Sequence, residues 1–142
     1  MTTKDVRIEV ALGVLWREEK AGPELLIARR PDETVMGGYW EFPGGKVEGG
    51  ESPRGCVVRE LEEELGVVVT AEATIAVIEH DYDHASVRLH AFDCELVSGT
   101  PENLGVAEHQ WIRPKGLSGY RFLPANGPLL ERIVQRGGPV SE

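Results

Sequence analysis

The sequence predicts an α/β domain built on a mixed sheet, and three observations predict it. Apolar side chains alternate with a period of two near the start of the chain and again past its middle. A sharply punctuated helix lies between these stretches, and an amphipathic helix closes the chain. The 142 residues, 41% hydrophobic and 27% charged, suit one domain covering 1–142 with its own core, and the tail 136–142 is expected to fray.

Residues 6–16 place Val6, Ile8, Val10, Leu12 and Val14 on one face, which reads as a strand. The polar stretch 17–24, with Gly22 and Pro23, reads as a hairpin turn, and 25–29 as the returning strand. From Pro31 to Gly50 the chain is turn-rich, with paired glycines at 37–38, 44–45 and 49–50. Ser52 then suits an N-cap, Pro53 a first helical position and Gly66 a left-handed cap, so a helix of about three turns lies between them. Its buried stripe is expected at Val58, Leu61 and Leu65. Residues 67–78 and 85–97 read as strands, 98–105 as a loop and 109–113 as a short strand. A helix over 125–136 is expected to bury Leu129, Leu130, Ile133 and Val134.

The formal net charge of −9 leaves no basic surplus for a nucleic acid polymer, so any phosphate chemistry here needs metal cations as intermediaries. Cys56 and Cys94 have neither zinc-site spacing nor disulfide density and read as buried thiols. No apolar run approaches the roughly 18 residues of a membrane span. The N-terminus lacks the pattern of a signal peptide, which makes the cytoplasm the expected location, for a monomer or a homodimer.

The segment Trp40–Val67, "WEFPGGKVEGGESPRGCVVRELEEELGV", carries the chemistry. Glu60, Glu63 and Glu64 lie opposite the apolar stripe at spacings of three and four. They crowd toward the C-terminal end of the helix, where the dipole disfavours negative charge. A solvated face is the plain reading, yet like charges set against both repulsion and dipole call for a compensating cation. Oxygen donors without histidine or cysteine suit Mg²⁺ or Mn²⁺.

Gly45, Glu51 and the run Arg59-Glu60-Leu61-Glu62-Glu63-Glu64-Leu65-Gly66-Val67 are similar to the Nudix box, GX5EX7REUXEEXGU, at every specified position. With "EFPGGKVE" around the box, the chain resembles the MutT-like branch of Nudix hydrolases, which convert (deoxy)nucleoside triphosphates to a monophosphate and pyrophosphate. The resemblance implies an α/β/α sandwich with the box as loop-helix-loop. It implies Mg²⁺ on Glu60, Glu63 and Glu64 with the Gly45 carbonyl, Arg59 orienting a box glutamate, and Glu51 closing the loop against the helix. A further metal or base glutamate is expected from Glu108, with Glu102 behind it.

On the substrate side the resemblance puts Arg30, Phe42 and Asn126 toward the nucleotide. Asn126 is either a reader of the base edge or an N-cap for the last helix. Lys46 meets a phosphate or pairs with a glutamate. His84, Ser86, Arg88 and His90 share a strand face, expected at the rim of the pocket; the histidine spacing does not suit zinc. The expected substrates are 8-oxo-dGTP or CTP/dCTP-type triphosphates. ADP-ribose, dinucleoside polyphosphates and a non-catalytic nucleotide-binding role stay open as alternatives.

Overall fold

A computed structural model describes residues 7–139. The strands are β1 (Ile8–Glu19), β2 (Gly22–Arg29), β3 (Trp40–Glu41), β4 (Gly44–Lys46), β5 (Val68–Asp81), β6 (Ser86–Ser98) and β7 (Glu108–Ile112). The helices are α1 (Pro53–Leu65) and α2 (Gly127–Arg136), the latter preceded by short 3₁₀ turns at Pro114–Gly119 and Pro124–Asn126. One mixed sheet runs β3-β2-β1-β6-β5, with β4 beside β1 and β7 beside β2. The β1–β6 pairing is parallel and the others are antiparallel.

The pleat of β1 divides the core. Leu12, Val14 and Trp16 face a layer containing Leu129 and Ile133 of α2. Ala11 and Leu15 face the opposite layer with Val57, Leu61 and Leu65 of α1. A sheet covered by one helix on each face is the expected α/β/α sandwich.

The ends of α1 behave as their residues predict. Ser52 Oγ accepts from the Gly55 amide at 2.9 Å, and Gly66, at φ 71°, donates its N–H to Glu62. The helix seats closely because Gly13 has no side chain: a Cβ there would stand 2.9 Å from Val57 Cγ2. This contact rotates the buried stripe to Cys56, Val57, Leu61 and Leu65, leaving Val58 only partly buried. In α2 only Leu129 and Ile133 are buried; Leu130 is partly covered and Val134 is exposed, because the helix touches the sheet along one narrow line.

The expected turn at 17–24 is much tighter. β1 continues to Glu19 and β2 starts at Gly22. The glycine-rich stretch also hides β3 and β4, which are held by backbone pairing that asks nothing of the side chains. The helix expected over 125–136 opens as a 3₁₀ turn and becomes α-helical at Gly127. Helix α2 holds through Arg136, and residue 6 of the first expected strand and 140–142 of the expected frayed tail lie outside the described residues.

Candidate active site

Strand β4 brings the glycine loop against α1. Gly44 pairs with Leu12 and Gly45 with Ala11, so the backbone lies where a Cβ on Gly45 would meet the Glu60 carboxyl group at 2.6 Å. The Gly44 amide donates to Glu64 Oε1 at 3.1 Å. Cys56, buried beneath the loop, turns its thiol toward the carbonyls of Gly45 (3.5 Å) and Lys46 (3.4 Å). Burial pushes that thiol up to about 11, so it remains a protonated donor.

Arg59 is the hub of the acidic face. Its Nε and Nη2 donate to the two oxygens of Glu51 at 2.7 and 3.1 Å, a bidentate pair. Its Nη1 donates to Glu60 Oε2 at 3.0 Å and to both Glu63 oxygens at 3.1 Å. Hydrogen bonding to Arg59 holds Glu51 down at about 2, and Glu51 in turn accepts from the Glu48 amide, which fastens the loop to the helix. Arg59 thus touches Glu51, Glu60 and Glu63 together, and Glu51 ties the loop to the helix.

Glu60 and Glu64 are strained electrostatically. Glu60 is raised by burial, with Glu63 adding like charge. Glu64 is pushed up to about 8, chiefly by burial, with Glu41 and Glu60 adding repulsion. Among the described residues, no three histidine, cysteine or acidic side chains converge on one point. Glu60 and Glu63 are drawn to Arg59, while Glu64 is drawn to Gly44. The box glutamates share a region, with Arg59 as its counter-charge.

Glu108 lies elsewhere. It pairs with Arg29 across β7 and β2, while the next pair, His109 and Ala28, shares the face toward α1. Glu108 therefore points to the other face, where it accepts from Gln110 and from Arg29 at 3.2 Å; these two donors lower its pKa. The expectation of a box-side ligand there is corrected by this register. Glu102 is also displaced, since its amide caps α1 at Leu65 and its carboxylate stands beside Gly66.

On the α2 face a cavity of about 330 Å³ opens between Val10, Leu12, Leu89, Tyr82, His84 and Asn126. Arg30, Glu41 and Lys46 reach it from the side of the box. Arg30 donates to Glu41 at 3.1 Å and to the Val35 carbonyl at 2.9 Å. Phe42 does not reach the cavity: it is 0% exposed and packs on Phe122 with ring centroids 5.3 Å apart. The base contact expected of its side chain is thus replaced by a core role, since Phe42 and Glu41 point to opposite faces of the chain.

Asn126 is 2% exposed and its Oδ1 has no protein partner. It makes no N-cap bond, which sets the capping alternative aside. Arg88 and His90 are not at the rim; both bind Glu9 at 2.7 Å on the α1 face. Two cavity residues escaped the sequence reading. Glu41 was marked only by being a carboxylate within the aromatic run "YWEF", and Tyr82 only by its place in "HDYDH".

A family model described as "NUDIX domain" matches residues 11–132. The CTP pyrophosphohydrolase of Escherichia coli (strain K12) is 39% identical over 130 residues, covering 89% of this chain and 91% of that protein. The 8-oxo-dGTP diphosphatase of the same organism is 31% identical over 127 residues, covering 89% and 96%. Among solved structures, the E. coli ORF135 protein superposes with a TM-score of 0.76 at 32% identity, covering 95% of this chain and 94% of that one. A MutT structure from a study of Aliivibrio salmonicida and Vibrio cholerae gives 0.74 at 32% identity, covering 91% and 97%. No helix among the described residues is long and apolar enough to cross a membrane. With the box complete, its loop seated on α1 and most of its length matched, this chain belongs to the Nudix hydrolase family, on the MutT-like branch.

Proposed function

We propose that this protein is a divalent-cation-dependent hydrolase of (deoxy)nucleoside triphosphates that releases a nucleoside monophosphate and pyrophosphate. The observation that carries the reading is the placement of two unlike sites side by side. A mostly apolar cavity with the unpartnered Oδ1 of Asn126 is bordered by the Arg30–Glu41 pair, and Glu41 in turn acts on Glu64 of the acidic helix. The two E. coli relatives are named for CTP and for 8-oxo-dGTP, which supports a nucleoside triphosphate over ADP-ribose or a dinucleoside polyphosphate. Binding of a nucleotide alone would not require three carboxylates gathered against their own repulsion.

The residues fit a hard cation such as Mg²⁺ or Mn²⁺. Their donors are all oxygen, Gly45 leaves the space a Cβ would fill, and Glu64 is a largely buried carboxyl group raised chiefly by that burial, with Glu41 and Glu60 adding repulsion. Glu60, Glu63 and Glu64, with the Gly45 carbonyl, would hold it. When bound, such an ion neutralises charge on the phosphoryl oxygens. Arg30 and Lys46 add positive charge where the cavity meets the box. A carboxylate of the site or a loop residue takes the proton of the attacking water. The water oxygen joins the β-phosphorus, the bond from that phosphorus to the α–β bridging oxygen breaks, and the nucleoside monophosphate departs, leaving pyrophosphate. Such an enzyme works on the free nucleotide pool of the cytoplasm and needs neither a nucleic acid polymer nor a membrane.

The test is a substrate panel with Mg²⁺ containing NTPs, dNTPs, 8-oxo-dGTP, ADP-ribose and Ap4A, with products identified by chromatography. Monophosphate plus pyrophosphate from a triphosphate is expected. Orthophosphate release, or activity on ADP-ribose alone, would overturn the proposal.

The Glu64 shift has a pH consequence. Its folded value of about 8 lies above the ordinary 4.5, so the stabilisation from its neutral form is complete below about 4.5. That stabilisation declines as pH rises and is gone above about 8. Cation-free protein is therefore expected to melt lower at pH 9 than at pH 6, with added Mg²⁺ raising the melting temperature more at pH 9, because the ion binds the ionised form. Equal Mg²⁺ shifts at both pH values would contradict the assignment of Glu64.

A further inference from the structure

We propose that Tyr82 is a positioning residue for base selection, fixing the turn that aims Asn126 into the cavity. This inference rests on the reading above, that the cavity receives the base and Asn126 reads it. Asn126 sits where a helix would normally take a side-chain cap, yet its amide is not spent on capping. The backbone carries the cap instead. The Gly127 N–H bonds the Pro124 carbonyl, and Pro128 has no N–H to satisfy.

The amide of Ala125 finds its acceptor outside the turn, at the Tyr82 hydroxyl, 3.1 Å away. On the other side the turn is tied down by the Leu123 amide, which donates to the Trp40 carbonyl at 3.0 Å. The segment 123–126 is thus held from β3 and from the end of the β5–β6 hairpin, and Tyr82 supplies the only side chain among these ties.

Tyr82 is itself held in place. Its ring stacks on His84 at 5.2 Å with an interplanar angle of 19°, and His80 packs edge-on at 4.5 Å. The tight turn beneath it closes by backbone bonds between Tyr82 and Ala85. Burial keeps the phenol protonated, so its oxygen accepts as a neutral group. Tyr82 and His84 both line the cavity beside Asn126, so the hairpin tip forms one wall and sets the other's orientation. A base edge read by Asn126 needs that amide within a few tenths of an ångström of its working position. Loss of the Tyr82 oxygen frees the turn without opening a void, because phenylalanine retains the ring.

The experiment is a double-mutant cycle of Tyr82→Phe and Asn126→Ala, read as the ratio of kcat/KM for a preferred to a disfavoured nucleoside triphosphate. Tyr82→Phe is expected to narrow that ratio by about three- to ten-fold, the worth of one neutral hydrogen bond, with KM moving more than kcat. Asn126→Ala narrows it further, and the double variant matches Asn126→Ala alone, because Tyr82 acts through Asn126. An unchanged ratio in Tyr82→Phe beside a collapsed ratio in Asn126→Ala would overturn the role of Tyr82 and leave the base reading intact. Independent, multiplying effects would overturn it too. An unchanged ratio in Asn126→Ala would bring down both.

Discussion

Glu63→Gln is expected to lower triphosphate turnover by on the order of 10²–10⁴-fold while the fold stays as stable as the wild type. Glu63 contributes little to folding: its side chain is 58% exposed and its recorded partner is Arg59, four residues earlier on the helix. An exposed pair at that spacing is worth about 0.3–0.5 kcal/mol, too little to disturb unfolding. Glutamine keeps the size and removes the charge that a cation or a departing proton requires. Steady-state kinetics with a thermal melt on the same sample checks both halves. A variant that melts normally and turns over normally would show that the acidic helix is a solvated face.

Gly45→Ala carries the second large effect, and its direction separates function from folding. The added Cβ would meet the carboxyl carbon and both oxygens of Glu60 at 2.6 to 2.8 Å. That carboxyl group ends a flexible side chain, so the protein relieves the clash by swinging Glu60 aside at small cost in stability. The displaced oxygens are those expected to meet the cation, and a misplaced ligand typically lowers metal affinity and activity by about 10–100-fold. The contrast is Gly44, where a Cβ would stand 2.0 Å from the Ala11 carbonyl oxygen, a backbone atom that cannot move away. Substitution at Gly44 therefore damages the β1–β4 ladder itself. Melting curves of the two alanine variants, set beside Mg²⁺ titrations, test this split. Equal losses of stability would contradict it.

The helix of the site was legible residue by residue, because Ser52, Pro53 and Gly66 act locally and their roles depend on few distant atoms. The box was legible for a similar reason, its positions lying within one loop and one helix. What escaped depends on the assembled sheet. Val57, and not Val58, faces inward because Gly13 on β1 provides the recess, a contact between residues far apart in the chain. Phe42 sits in a functional loop by sequence, yet the pairing of β3 with β2 turns it into the core. Glu108 has a suitable charge, but the β7–β2 register places it with Arg29, and alternation on a five-residue strand leaves the choice of face undetermined beforehand. Asn126 carried two readings; the missing cap bond speaks against the capping one, and the Oδ1 is buried without a protein partner.

Arg59 is the part of the site most informative about its working state. Its guanidinium binds Glu51 with both forks and shares Glu60 and Glu63 through one nitrogen. The Glu51 pair fastens the loop to the helix, whereas the other contacts put a cation where the acidic side chains demand one. Binding of a divalent ion would relieve the second duty and leave the first.

The central claim, that these carboxylates form one divalent-cation site, is tested most directly by Mn²⁺ binding followed by electron paramagnetic resonance at pH 8. The wild type is expected to show saturable binding that Mg²⁺ displaces, with affinity falling at least about ten-fold in Glu60→Gln and in Glu63→Gln. Saturation curves that coincide for the wild type and both variants would contradict the account.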